Sequence, residues 1–517
     1  MSDLFASIIL YNARVLTLNP AQPRAEAVAV KGNKILAVGS KHEVEKFKGA
    51  NSRLFDCEGK VIVPGFNDAH CHPISFAITQ AYLDCSSLYV KNIEQLKKRI
   101  HHQAVRTPKS KWIRAAQYNE YDLAEKRHPT RLDLDKAAPE NPTILVHASG
   151  SICVLNSLAL KFVGLSTDTV NPENGQIGRD DNGKLNGIIT GRNKHVENKI
   201  PPLDQEEIYE SIRIANQYYL SHGITSLQDT TWSNSLHNWN FYKKIKKSDI
   251  LLPRITMMVG SNVVDEFNKN GLHTGIGDNQ LCIGAAKIAL DESSGNPRPP
   301  EKQINDHAIR AHKAGFQLAF HVSDIYNLQK ALASLELIKQ IDPKPLKRPR
   351  FEHCAICPTG LMHKMKSFQP IVVTQPSFLY YMGKRYLNNM MPDQLKWLYN
   401  IKSLCNQGVM TALSSDSPVV PCNPIIGIYA AVTRKEQSGR TIMQQESVSP
   451  MDAIKMYTLW PAYASFTENL KGSITKGKLA DMTLLSDDPA DHQIKPEKIM
   501  DIKAVLTIID GKIVWEG

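Results

Sequence analysis

Nowhere in the 517 residues does an uninterrupted apolar run approach the roughly 20 residues needed to cross a bilayer, so no membrane span is expected. The opening segment Met1-Ser-Asp-Leu-Phe-Ala-Ser-Ile-Ile-Leu10 lacks a basic stretch, an apolar core and a small-residue cleavage site, and no secretory signal is read there. No Gly-x-Ser-x-Gly elbow occurs, which removes the serine hydrolases built on that turn. Cysteine is sparse: nine residues, odd in number and scattered at 57, 71, 85, 153, 282, 354, 357, 405 and 422. That pattern argues against a disulfide framework and for reduced thiols in a cytoplasmic setting. Cys354-x-x-Cys357 is the single close pair, and no second pair or histidine follows at zinc-finger spacing. Two buried thiols are the expectation there.

An apolar share of 42% and a charged share of 22% are ordinary for a globular protein, while the length exceeds one simple core. A large barrel with an appended or inserted domain fits that size. The net charge is +11 and the pI about 9.0. Its densest basic runs are Lys243-Lys-Ile-Lys-Lys247 and Lys344-Pro-Leu-Lys-Arg-Pro-Arg350. Neither carries interleaved aromatics or a nucleic-acid motif, so both are expected to be solvated segments of a lysine-rich chain. No nucleic-acid partner is expected.

Both ends of the chain read as β structure. Ile8-Ile-Leu-Tyr11 and Ala27-Val-Ala-Val30 are short strands, and a hairpin at Lys31-Gly-Asn-Lys34 leads into Ile35-Leu-Ala-Val38. Ala504 to Trp515 forms two strands across Asp510-Gly511, a strong hairpin signal. A lone hairpin is marginally stable, so residues 1–58 and 470–517 are expected to share one small β-sandwich domain. The middle alternates apolar strands (61–66, 144–147, 224–228, 285–290, 317–321, 371–374 and 410–414) with helical segments (206–221, 301–314, 325–339 and 449–459). Repeated β-then-α units predict an α/β fold, a (β/α)8 TIM barrel over 59–469 whose active site lies at the C-terminal strand ends. Residues of about 75–205 exceed one barrel unit and are expected to form an inserted subdomain at the barrel mouth.

Chemistry first concentrates at His70-Cys71-His72, which closes the run beginning at Val61. Histidines at i and i+2 of a strand end turn their imidazoles to one side, a ready pair of ligands for a divalent ion. Four more residues stand at strand ends in barrel-unit spacing: Lys287, His321, His353 and Asp416. Singly, each has an ordinary structural explanation: a core histidine, a capped turn, a lysine reaching out to solvent. Their joint occurrence carries the argument, since a lysine inside an apolar strand is costly unless paired or chemically altered.

With these residues in place, the chain resembles the amidohydrolase superfamily, and within it the amidohydrolase-3 branch, the YtcJ-like group related to N-substituted formamide deformylases. The matching segments are Pro64-Gly-Phe-Asn-Asp-Ala-His-Cys-His72, Asn156-Ser-Leu-Ala-Leu160, Gly223-Ile-Thr-Ser226, Glu352-His353, Thr374-Gln-Pro376, Ser415-Asp-Ser-Pro418 and Gly472 through Asp481. The resemblance implies that His70 and His72 bind a metal from strand 1. It implies further ligands at His321 and His353 from strands 5 and 6, and a carboxylate on strand 4 made by carbamylation of Lys287 with carbon dioxide. Asp416, at the end of strand 8, would touch metal and attacking water. One or two Zn2+ ions suit this set of imidazole and carboxylate ligands, with another divalent metal as the alternative. The implied activity is hydrolysis of a C–N bond, amide or cyclic amide, in a small molecule by metal-activated hydroxide, with Asp416 as general base and then acid. Deamination, or ester or lactone hydrolysis, would use the same site, and a metal-binding scaffold is the non-enzymatic alternative.

The substrate-facing positions depart from the family pattern. Ser149-Gly150-Ser151 stands where many relatives have Asp-Gly-His, Asn186-Gly-Ile-Ile-Thr-Gly191 lacks the usual acidic residue, and Asp291-Glu292 replaces Asp-Gly. Intact ligands with altered pocket positions imply an unusual substrate. Asp291, Glu292 and Gln375 are candidate substrate contacts, with Tyr118, Tyr121 and Trp232 as further lining residues. A homodimer is the base-rate expectation for such an enzyme.

Overall fold

Gly65 divides what reads as one strand into two. In the computed structural model, which describes residues 5–148, 152–171, 175–191, 199–290, 299–491 and 493–517, Val61–Pro64 and Phe66–Cys71 belong to different sheets. A side chain at Gly65 would collide with Thr225, and its amide donates to the Asp481 carbonyl at 3.0 Å. The strand that presents His70 is therefore 66–71, not 61–66.

Eight parallel strands follow in chain order around the barrel: β1 Phe66–Cys71, β2 Ile224–Asp229, β3 Arg254–Gly260, β4 Leu281–Ile288, β5 Leu318–Val322, β6 Arg350–His353, β7 Ile371–Thr374 and β8 Met410–Leu413. Helices such as Leu236–Lys247, Glu301–Lys313 and Ile325–Ile341 connect them, which gives the expected (β/α)8 order. The edge between β8 and β1 is joined just beyond the strands. The Asp416 amide donates to the His70 carbonyl and the His72 amide to the Ser417 carbonyl, both at 2.8 Å. Asp68 adds to the seam by accepting the Ser415 amide at 3.0 Å and its hydroxyl at 2.5 Å.

Two further expectations need correction. Residues 144–147 lie in Thr143–His147, a strand of a separate sheet and not of the barrel. Its place is taken by β3, whose entering residue Arg254 disguises a fully buried strand. Residues 449–459 form two helices, Pro450–Met456 and Leu459–Ala464, instead of one.

Two further sheets use both ends of the chain. One has four strands, in the order Lys34–Gly39, Ala27–Lys31, Ile8–Tyr11 and Arg53–Asp56. The other has six, in the order Lys512–Glu516, Ala504–Ile509, Met482–Leu485, Val61–Pro64, Arg14–Leu16 and Arg24–Ala25. Ile8, Val28 and Val30 of the first meet Val15, Ile62, Met482, Leu484 and Leu506 of the second in one apolar core, the sandwich expected from the terminal hairpins. Asp510 and Gly511, at φ 52° and 70°, form the tight hairpin turn.

The sandwich grips the base of the barrel through charge. Arg254 donates to both oxygens of Asp481, at 2.6 and 2.9 Å, and to Asp510 at 2.5 Å. Lys471, also buried, donates to Ser226 of β2 at 2.6 Å. The basic runs are partly consumed in the same way. Lys246 caps the carbonyls of Leu251, Leu252 and Pro253 at 2.9, 2.9 and 3.0 Å, and Arg348 stacks on Tyr463 with its guanidinium 3.6 Å from the ring centre.

Residues 74–215 form a second compact unit. Its six-stranded sheet runs Gln176–Arg179, Leu185–Thr190, Ile152–Leu155, Thr143–His147, Ile113–Tyr118 and Leu83–Asp84. Helix Ile93–Arg106 buries Leu96 and Ile100 against it, beside Ile113 and Leu145.

Two measurements check the base. Asp481→Asn leaves Arg254 buried and mismatched, and should cost about 3–5 kcal/mol in chemical unfolding. Burial, with the charge of Arg254, pushes Lys471 from 10.5 down to about 8. Between those values the unfolded chain holds the extra proton, so stability should rise with pH there, and Lys471→Met should flatten that rise in unfolding curves taken across the range.

Candidate metal centre

The end of β1 and the turn after β8 bring three ligand-type side chains together. His72 Nε2 lies 3.1 Å and His70 Nε2 3.4 Å from Asp416 Oδ1. Ligand atoms of His70, His72 and Asp416 all fall within 4.8 Å of one another. Cys71, between the histidines, points away and its thiol meets the Gln228 carbonyl at 3.5 Å, as strand alternation requires. Asp416 adopts φ 61°, a left-handed turn that aims its carboxylate back over the barrel.

The remaining expected residues gather around this group. His353, at φ 69° where β6 ends, has its ring centre 4.7 Å from that of His70 and 4.3 Å from that of His321. Lys287 is buried in β4, close enough for its charge to act on His70, His353 and Asp416. Asp291 and Glu292 lie outside the described residues. Gln375, expected to face substrate, is wholly buried and spends both ends on protein: its oxygen accepts His353 Nδ1–H at 2.9 Å and its amide donates to Ser414 at 3.0 Å. Tyr118 is buried in the second unit with its hydroxyl on His128 Nδ1 at 3.1 Å, while Tyr121 and Trp232 are exposed.

Electrostatics favour the ligand forms. Burial, followed by the charge of Lys287, drives His70 well below the usual histidine value. Burial and the neighbouring His321 push His353 down to about 3. Both imidazoles are thus neutral at ordinary pH, as metal binding needs. Burial raises the Asp416 carboxyl, but the His72 hydrogen bond and the charges of His353, His72 and Lys287 outweigh it, so it sits below the usual range.

The residues fit a divalent ion. Among the described residues the buried His353 Nε2 has no hydrogen-bond partner, although the opposite ring nitrogen is held by Gln375. His70 Nδ1 is held by Glu352 at 2.5 Å, which turns Nε2 inward, and His72 Nδ1 meets the Thr231 hydroxyl at 2.9 Å. His70 and His72 each engage an oxygen through Nδ1 and face Asp416 through Nε2, and His353 is held through Nδ1 by Gln375, the kind of support usual behind metal-binding histidines.

Glu352 and Arg350 are the site residues that sequence reading missed. Arg350 Nε donates to Glu352 at 2.7 Å, and its other nitrogens reach Gln228 at 2.6 Å and the Ala69 carbonyl at 2.8 Å. The available signal was the spacing: opposite charges at i and i+2 on one side of a strand that leads into a histidine. Replacing Glu352 with Gln keeps the shape and removes the charge. It should weaken metal binding by about 10–100-fold in chelator competition and, because Arg350 stays buried without its charge partner, cost about 3–5 kcal/mol in chemical unfolding.

The comparisons with known proteins agree with this geometry. The Amidohydrolase family description matches residues 53–515. The chain is 26% identical to an N-substituted formamide deformylase of Arthrobacter pascens, over 98% of each chain. It is 27% identical to the YtcJ protein of Bacillus subtilis (strain 168), over 98% of this chain and 99% of the other. An uncharacterized metal-dependent hydrolase from Pyrococcus furiosus shares the fold with a TM-score of 0.74 at 20% identity, over 94% of this chain and 100% of the other. A match that spans nearly the whole chain, over a barrel carrying the expected histidines, makes this protein a member of the amidohydrolase family.

Proposed function

We propose that the protein is a metal-dependent hydrolase that cleaves a C–N bond, amide or cyclic amide, in a small molecule. The observation that carries this reading is the pair of neutral imidazoles, His70 and His353, held from behind by Glu352 and Gln375 and gathered with His72 around the buried carboxylate of Asp416. His70, His72, His321, His353 and Asp416 would hold the metal, with Lys287 as its carbamate completing the set. Zn2+ suits these ligands, and when bound it would polarise the scissile carbonyl and lower the pKa of attacking water.

Asp416 does the proton work. Its depressed pKa keeps it a carboxylate, able to take a proton from water attacking the carbonyl carbon. The same oxygen then returns that proton to the departing nitrogen, so the amine leaves neutral. Gln375 and Glu352 hold His353 and His70 still during this transfer. Among alternatives, the likeness to an N-substituted formamide deformylase favours amides over esters or heterocyclic amines. Asp291 and Glu292, which follow β4 in the chain, are proposed substrate contacts. The thiols described are all free, in keeping with a reducing cytoplasmic location.

A screen of N-substituted formamides and cyclic amides on zinc-loaded protein tests the reading. Asp416→Asn should lower turnover by about 10²–10⁴-fold. Lys287→Ala should lose both bound metal and the 13C carbamate signal that labelled bicarbonate gives in the wild type. A folded wild type that takes up no divalent metal would rule the hydrolase out.

A further inference from the structure

Two tyrosine hydroxyls at the C-terminal end of the barrel form a chain that ends on a poor acceptor. Tyr386 belongs to helix Ser377–Asn389, which follows β7, and Tyr399 lies just before helix Ile401–Asn406. Their oxygens are 3.4 Å apart, and the Tyr386 oxygen is 4.0 Å from Sδ of Met382, one turn earlier on its helix. Tyr399 is buried and, among the described residues, has Tyr386 as the one partner of its hydroxyl. Satisfying both hydrogens therefore sends that of Tyr399 to Tyr386 and leaves that of Tyr386 on sulfur, a weak acceptor.

The pair is fixed beside the metal centre from three sides. The Tyr399 amide donates to the Ala355 carbonyl at 2.8 Å, two residues beyond His353. The buried Arg434 guanidinium donates to the carbonyls of Tyr399 and Leu398 at 2.6 and 2.9 Å. Phe378 meets the Tyr399 ring edge-on at 6.2 Å, and both pack with Val420, four residues beyond Asp416. Both hydroxyls are close enough for the charge of Asp416 to act on them. Burial first, with that charge among the further causes, holds both above the usual tyrosine value, so both remain donors. Tyr386, unlike Tyr399, is partly open.

We propose that Tyr386 donates its hydroxyl hydrogen to the carbonyl oxygen of the substrate, with Tyr399 as its positioning residue. Tyr399 occupies a lone pair of the Tyr386 oxygen, and the substrate oxygen takes the hydrogen that Met382 holds weakly. The proposal rests on the hydrolase reading above for the identity of that oxygen. Attack on the carbonyl carbon places negative charge on the oxygen, so the bond from Tyr386 strengthens as the reaction proceeds. The bond received from Tyr399 polarises Tyr386 in the same direction, and no proton has to leave either ring.

Full-length, zinc-loaded protein decides the matter, with p-nitroformanilide as the turnover probe and formate, the acid its hydrolysis releases, as the binding probe. Tyr386→Phe should lower kcat by about 10²–10³-fold with KM little changed and thermal unfolding close to wild type. Tyr399→Phe should lower kcat by about tenfold in the wild type and no further in a Tyr386→Phe background, since it acts through Tyr386. Formate binding, followed by calorimetry, should weaken by about tenfold in Tyr386→Phe. Where there is turnover, kcat decides. Wild-type kcat in Tyr386→Phe, or a Tyr399→Phe loss that persists in the Tyr386→Phe background, overturns the proposal and leaves the hydrolase reading standing. Where neither p-nitroformanilide nor any screened amide is turned over, formate decides. Binding that depends on Tyr386 then removes the hydrolase reading and keeps the donor, and its absence overturns both.

Discussion

Glu352 sits inside the barrel with none of its surface exposed, and a carboxylate there is tolerable only when its charge is matched and its oxygens are hydrogen-bonded. Arg350, two residues earlier on the same side of β6, supplies the match. Its remaining donors reach the Ala69 carbonyl of β1 and Gln228 of β2, so one guanidinium ties three strands across the barrel interior. The other Glu352 oxygen holds His70. The position of the first histidine therefore depends on an ion pair that the apolar core could not replace without losing the orientation of the ring. Breaking such a pair costs far more than never having it, which makes the register of β6 against β1 hard to alter.

The two ends of the barrel divide the labour. At the C-terminal ends, β1, β4, β5, β6 and β8 present the ligand-type residues, as barrel enzymes do. At the base, the sandwich built from the chain ends locks β3 through Arg254, Asp481 and Asp510. The long Gly472 to Asp481 segment thus has a mechanical meaning. With Lys471 just before it on Ser226 and Asp481 at its end on Arg254, it fixes strands that lead toward the histidines. Seen this way, a buried polar interior replaces part of the usual apolar filling with bonds that each specify a partner.

Much of this was legible in the sequence where chemistry and periodicity coincide. The β-then-α alternation, the terminal hairpins and the His-x-His pair each follow from residue type and spacing, and the family match confirms the barrel. What escaped notice were charged residues in buried strands. Arg254 and Arg350 look like surface residues until their partners, hundreds of residues away or on the same strand, are known. Gly65 also hides its role, because only Thr225 pressing on it reveals that the chain changes sheets there. Gln375, within Thr374-Gln-Pro376, is in sequence only a candidate substrate contact. Only the distance to His353 shows that it is spent on orienting a ring.

Lys287 closes the electrostatic argument. An ammonium in β4 helps drive His70 and His353 toward their neutral forms, which suits ligation, yet it would repel any divalent ion those nitrogens hold. At about 4 Å and an effective dielectric near 20, each pair of unit charges is worth on the order of 4 kcal/mol, and a divalent ion doubles it. A lysine kept as a cation would then oppose the imidazoles it neutralises. Conversion to a carbamate exchanges one positive charge for one negative, so the same side chain would pass from repelling the ion to binding it. The buried carboxylate of Glu352 is already claimed by Arg350 and His70, while Asp416 faces His70 and His72. In the proposed centre a carbamate on Lys287 would add a second anionic group beside Asp416, a role that gives a lysine in an otherwise apolar strand a physical reason.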